Sequence, residues 1–228
     1  MFYFDPTYLF IFFITLFISI GVQVYLKSSF SKWSKVANGS HVTGIDAART
    51  IFARTSLQAI PLEAIPGAMT DHFDPRSNVV RLSDPVRNQP SIAAMAIAAH
   101  ELGHVQQYQT GSAMIKARGF LVPAVKFSPR VSYICLLMGL WFNLTGLLWL
   151  GILFFGIMVI FSVLTIPVEF DASKRGLKLL NEAGLMVSET DRKGAKSILT
   201  AAGMTYLAAA VTSILQLLYY ISVANRRR

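Results

Sequence analysis

Ile92-Ala93-Ala94-Met95-Ala96-Ile97-Ala98-Ala99-His100-Glu101-Leu102-Gly103-His104 decides how the rest of this chain is read. No breaker interrupts the run, and Pro90-Ser91 ahead of it gives a start signal with Ser91 as N-cap. Gln106-Gln107-Tyr108-Gln109 continues the pattern, and Gly111 supplies a stop. The spacing predicts one helix, apolar on almost every side before the motif and therefore buried in a core. On a helix, positions i and i+4 share a face, so His100 and His104 can reach one metal ion. Glu101 sits beside the open position of such a metal, where a general base is needed. Two imidazoles and a carboxylate on a buried helix are costly unless they are paired or metal-bound.

Working outward, the composition is 54% hydrophobic and 14% charged, unlike a soluble domain. Three apolar regions account for it. Tyr8 to Leu26 has the length of one membrane pass; Asp5, not a basic segment, precedes it, and no small-residue cleavage site follows. It reads as an uncleaved anchor. Val131 to Val168 runs 38 residues without a charge, too long for one pass, and reads as a helical hairpin, 131–147 and 150–167, turning near Gly146 to Gly151. Leu199 to Val223 is long enough to span, or could instead pack against the motif helix. The expected organisation is an anchor (1–26), a motif-bearing core (27–130), a membrane hairpin (131–167), a helical segment (168–198), and a C-terminal apolar helix with a basic tail (199–228). The fold class is mainly α and integral to a membrane, with three to four transmembrane helices and a small β-hairpin.

Charge gives an orientation. Segment 27–130 carries 12 Lys and Arg and segment 169–198 carries 6, while the first six residues and the hairpin turn carry none. The positive-inside rule then places both basic segments in the cytoplasm, on the inner face of a bacterial-type plasma membrane. Arg226-Arg227-Arg228 disagrees if the last region crosses fully. The net charge of +9 fits contact with anionic lipid, and no aromatic-interleaved basic motif points to nucleic acid. The single cysteine, Cys135, excludes a disulfide framework within the chain. Asn143-Leu144-Thr145 matches a glycosylation sequon in form only, because it falls at a membrane turn.

Two histidines do not complete a catalytic zinc site, which takes three protein ligands and leaves one position open. His41, His72 and several carboxylates are candidates for the third. Glu169 is the best placed. The hairpin leaves the core shortly after the motif helix and returns to the same membrane side at Pro167-Val168-Glu169-Phe170-Asp171, so the chain brings Glu169 back toward the histidines. A carboxylate at the inner end of a membrane helix is also expensive without a partner. The competing reading pairs Glu169 with Lys174 or Arg175. Asp171 is the second choice of ligand, or an acceptor for a ligand histidine's ring N–H.

Three blocks carry a resemblance: Thr70-Asp71-His72-Phe73-Asp74-Pro75-Arg76, Ala98-Ala99-His100-Glu101-Leu102-Gly103-His104-Val105-Gln106-Gln107 and Pro167-Val168-Glu169-Phe170-Asp171-Ala172-Ser173. Their order resembles the membrane zinc peptidases of the HtpX and CAAX-prenyl-protease type, and more closely the YugP-like neutral zinc metallopeptidase family. With the anchor, the likeness covers essentially the whole chain. It implies a glutamate-type zinc metalloendopeptidase, with Zn2+ held by His100, His104 and Glu169. HtpX-like enzymes carry an Asp four positions after the Glu; here that position is Ser173, which makes Ser173 and Asp171 alternative partners of the ligands.

The remaining site candidates come from the residues themselves. Asp71-His72-Phe73-Asp74-Pro75 is a turn cluster, and Asn78-Val79-Val80-Arg81-Leu82-Ser83 is a strand candidate. Its free edge could hold an extended substrate by strand addition at Asn78, Val79, Val80, Arg81 and Leu82; an ordinary small sheet is the equal alternative. His72 and Tyr108 are weaker candidates for transition-state donors. The expected partners are polypeptides, membrane proteins among them, and the lipid bilayer. A second class of function stays open: a zinc-bound membrane scaffold or adaptor that binds clients without cutting them. Glu101 separates the two, since a structural metal site needs no base. A transporter fits poorly, because the hairpin holds no acidic residue to handle an ion.

Overall fold

The computed structural model describes residues 5–227, which leaves Met1 to Phe4 and Arg228 of the charge count outside the described residues. The chain is mainly helical: α1 Pro6–Trp33, α2 Gly44–Arg54, α3 Asp84–Asn88, α4 Ile92–Gln109, α5 Ala113–Trp141, α6 Thr145–Glu182 and α7 Glu189–Asn225, with strands β1 Leu62–Ile65, β2 His72–Asp74 and β3 Val79–Ser83. Among the described residues, four helices, α1, α5, α6 and α7, are long and apolar enough to cross a membrane. The chain divides into two compact units. One gathers the described residues up to Val22 with Lys116–Pro167 and the part from Thr205 onward; the other gathers Gln23–Ile115 and Val168–Met204.

The first unit is built from helices alone. The α5–α6 turn occupies 142–144, earlier than the sequence predicts, with Asn143 at φ +56°. The glycines that read as a turn lie inside α6. Gly151 does packing work: its backbone passes against Leu136, and its carbonyl accepts from the Ser132 hydroxyl at 2.9 Å. Gly139 meets Leu148 in the same way. Leu136, Leu148, Ile152 and Ala224 form the buried contact among α5, α6 and α7. At the end of α7, Arg227 donates to the Leu140 carbonyl and to Asn143 Oδ1, both at 3.1 Å, and Arg226 lies 3.6 Å from Asp5. Arg226 therefore sits beside the start of α1, and Arg227 beside the hairpin turn.

The second unit surrounds α4. Its core holds Ala47 and Ile51 of α2, Val80 and Leu82 of β3, Met95 and Leu102 of α4, Leu179 and Leu180 of α6, and Ile198 and Leu199 of α7. Burial on nearly all sides explains why α4 is apolar around its circumference. A hairpin is present as β2–β3, paired antiparallel, but its first strand, His72–Asp74, lies within the stretch read from the sequence as a turn cluster, and the sheet has three strands in the order β1-β3-β2, with β1 parallel to β3. The additional strand is the four-residue β1, too short to show an alternation of its own. β3 is consequently the central strand. It has no free edge, and Val79, Val80 and Leu82 are buried. The assignment of Asn78, Val79, Val80, Arg81 and Leu82 to an exposed substrate edge is corrected by this topology: the edges belong to β1 and β2.

Candidate metal centre

The motif helix starts and ends where its sequence signals lie. The Ser91 side chain accepts from the Ala94 N–H at 3.1 Å as N-cap, and Gly111 follows the last turn at φ +64°. Two glycines let α4 and α6 approach. A methyl group on Gly103 would collide with the carbonyl of Ala172, and one on Gly176 with the carbonyl of Ala99. The glycine inside the His-Glu-Leu-Gly-His motif is therefore there for backbone contact with the turn of α6 that carries Glu169.

That contact brings three donors together. Glu169 Oε2 lies 3.3 Å from His100 Nε2 and 3.4 Å from His104 Nε2. One ligand atom from each residue falls within 4.8 Å of the other two, the only such group of three among the described residues. The imidazole rings stand almost at right angles, with centroids 4.8 Å apart. Their far nitrogens are both engaged: His100 Nδ1 is 3.1 Å from Ser173 Oγ, and His104 Nδ1 is 3.1 Å from Gln107 Oε1. Glu169 is only 2% exposed, a burial that a carboxylate sustains only beside compensating charge. Two imidazole nitrogens and one buried carboxylate oxygen, all facing one point, are a donor set that fits zinc with a position to spare. Burial opposes a charge on His104, but the carboxylates of Glu169 and Glu101 outweigh it and push the imidazole pKa above its ordinary value.

Glu101 is buried on the next position of α4, and its Oε2 accepts the main-chain N–H of Phe73 at 2.9 Å. β2 thus lies against the motif helix along its outer edge. Phe73 meets Tyr108 edge to face, with centroids 5.7 Å apart, and Tyr108 is about half exposed. His72 lies on β2 with Nδ1 2.8 Å from the Thr70 carbonyl, outside the group of three donors. Among the described residues, Asp171 makes no hydrogen bond or ion pair with a histidine. It accepts from Gln107 Nε2 at 2.8 Å and from Arg175 Nε at 2.7 Å. Gln107 is the site residue the sequence reading missed. Its one available signal was its position three residues after His104, which returns it toward the same face of the helix.

Comparison with known proteins agrees with this geometry. The sequence profile of the family described as "Putative neutral zinc metallopeptidase" matches residues 8–225. A curated relative from Bacillus subtilis (strain 168), named "Putative membrane protease YugP", is 37% identical over 206 residues, which are 90% of this chain and 91% of the relative. No solved structure matches significantly.

Proposed function

The chain belongs to the neutral zinc metallopeptidase family, and on that footing we propose that it is a membrane-bound metalloendopeptidase in which His100, His104 and Glu169 hold zinc and Glu101 is the general base. The observation that carries the reading is the meeting of His100 Nε2 and His104 Nε2 at Glu169 Oε2, with Glu101 on the adjoining position of the same helix. When bound, zinc would lower the pKa of a water molecule toward about 7 and polarise the scissile carbonyl.

The protein's own groups do the rest. Phe73 holds Glu101 Oε2 through its main-chain N–H, which leaves Oε1 to receive the proton of the attacking water. The same oxygen then gives that proton to the nitrogen of the leaving amine, so that one new C–O bond replaces one C–N bond. Ser173 and Gln107 keep the two imidazoles turned so that both Nε2 atoms face Glu169. An extended polypeptide would lie beside the base against an aromatic wall formed by Phe73 of β2 and Tyr108 of α4. The excess of Lys and Arg in 27–130 and 169–198 supports a catalytic unit facing the cytoplasm. The relative's printed name, a membrane protease, supports polypeptide substrates.

The test compares purified wild type with Glu101→Ala on an unfolded protein substrate, with zinc content measured in both. Cleavage by wild type alone, at equal zinc, is expected. Equal cleavage by both would remove Glu101 from the mechanism. Zinc at full occupancy with no cleavage by either would favour a non-proteolytic scaffold.

A further inference from the structure

Gln107 is fully buried, and its side chain bridges α4 and α6. An amide nitrogen only donates, and an amide oxygen only accepts. Gln107 Nε2 faces the Val168 carbonyl and the Asp171 carboxylate, each at 2.8 Å, and both of these are acceptors. The amide can therefore sit in one orientation only, with Oε1 toward His104 Nδ1 at 3.1 Å. An acceptor facing Nδ1 requires His104 to carry a hydrogen there. Nε2, which points toward Glu169, is then the nitrogen that a bound zinc would take in place of a hydrogen. Arg175 locks Asp171 at 2.7 Å and reaches Gln106 Oε1 at 3.4 Å, so the chain of partners closes back on α4.

We propose that Gln107 is a positioning residue that fixes the ring hydrogen of His104 on Nδ1 and suspends the imidazole from the turn of α6 that carries Glu169. His100 is held differently. Its partner, the Ser173 hydroxyl, can donate or accept, so it does not select a tautomer. One histidine of the pair is thus preset and the other adaptable. The inference rests on the reading of His104 as a zinc ligand.

The test uses the full-length chain in detergent, with zinc affinity read by competition with a chelator. Gln107→Leu keeps the volume and removes the hydrogen bonds; it is expected to weaken zinc binding roughly 10–100-fold. Ile198→Ala, a core truncation in the same unit, measures what a purely structural loss does, and its zinc affinity is expected to be unchanged. Gln107→Leu with wild-type zinc affinity overturns the proposal. So does a Gln107→Leu loss that Ile198→Ala reproduces. A second measurement needs no variant: 15N-histidine NMR of the zinc-loaded wild type should find the retained, slowly exchanging ring hydrogen of His104 on Nδ1. A hydrogen retained on Nε2 overturns the proposal even if Gln107→Leu does not fold. Failure of the underlying ligand reading has its own signature, because His104→Ala would then bind zinc as tightly as wild type.

Discussion

Gly103 lies directly against the Ala172 carbonyl, with no room for a side chain between them. The metal motif and the segment that carries Glu169 are held at backbone contact by this pair. Gly103→Ala must push α4 and α6 apart or strain both, at a cost of about 1–3 kcal/mol. The displacement also separates Glu169 from the histidines. Thermal unfolding with and without a chelator should find Gly103→Ala less stable and no longer stabilised by zinc. Wild-type behaviour in both conditions would contradict the contact.

Removal of the donors separates ligand from base. His100→Ala, His104→Ala and Glu169→Ala are each expected to abolish stoichiometric zinc, because two remaining ligands hold it poorly. Glu101→Gln should retain zinc and lose roughly 10²–10⁴-fold in turnover. Elemental analysis beside a cleavage assay reads both quantities. If Glu169→Ala keeps zinc and Asp171→Asn loses it, Asp171 takes the ligand role.

The main-chain N–H of Phe73 points away from the β3 ladder and toward Glu101. Phe73→Pro deletes that donor at a sheet edge, where proline is tolerated. Phe73→Ala keeps the donor and loses only the ring contact with Tyr108. If the N–H orients the base, the proline variant will turn over more slowly than the alanine variant at the same zinc content. Equal rates would reduce the bond to a structural clasp.

Much of this site was legible because its signals are local. The Ser91 cap, the Gly111 stop and the i, i+4 histidines lie within one helix, and the uncharged run from Val131 to Val168 fixes where the chain returns. What escaped depends on distant partners. Gly151 reads as a turn until Leu136 is seen against it. β1 has four residues and takes its strand character from β3. Gln107 looks like any polar residue near a helix end until α6 supplies Val168 and Asp171 as its acceptors.

Acid should loosen the sheet through Asp74. Hydrogen bonds from the Ser77 hydroxyl, the Arg76 N–H and the Arg81 guanidinium hold its carboxyl well below the usual range. The folded state therefore favours the ionised form. The stabilisation is complete above the ordinary aspartate value of about 3.9 and is lost as pH falls through that value toward the folded one. Metal-free wild type should lose more thermal stability between about pH 5 and about pH 3 than Asp74→Asn does, with salt reducing the difference. An identical pH dependence in both would show that Asp74 contributes nothing.

Orientation is open to a labelling experiment. Cys135 is the single native cysteine, so Cys135→Ser gives a clean background for single cysteines at Ser77 and at Arg226. In intact cells, a membrane-impermeant thiol reagent should label the cysteine at 226 and spare the one at 77. The reverse pattern would place the catalytic unit outside the cytoplasm.

His104 and Glu169 stand 65 positions apart, and the two passages of the α5–α6 hairpin are made between them. A ribosome therefore finishes both histidines well before the carboxylate exists. A chain arrested between His104 and Glu169 carries the motif but not the carboxylate proposed as third ligand. On the proposed ligand set, competence to hold the metal would be acquired late in biosynthesis, after the hairpin has been made, and a half-built chain would lack the activity proposed for the finished one.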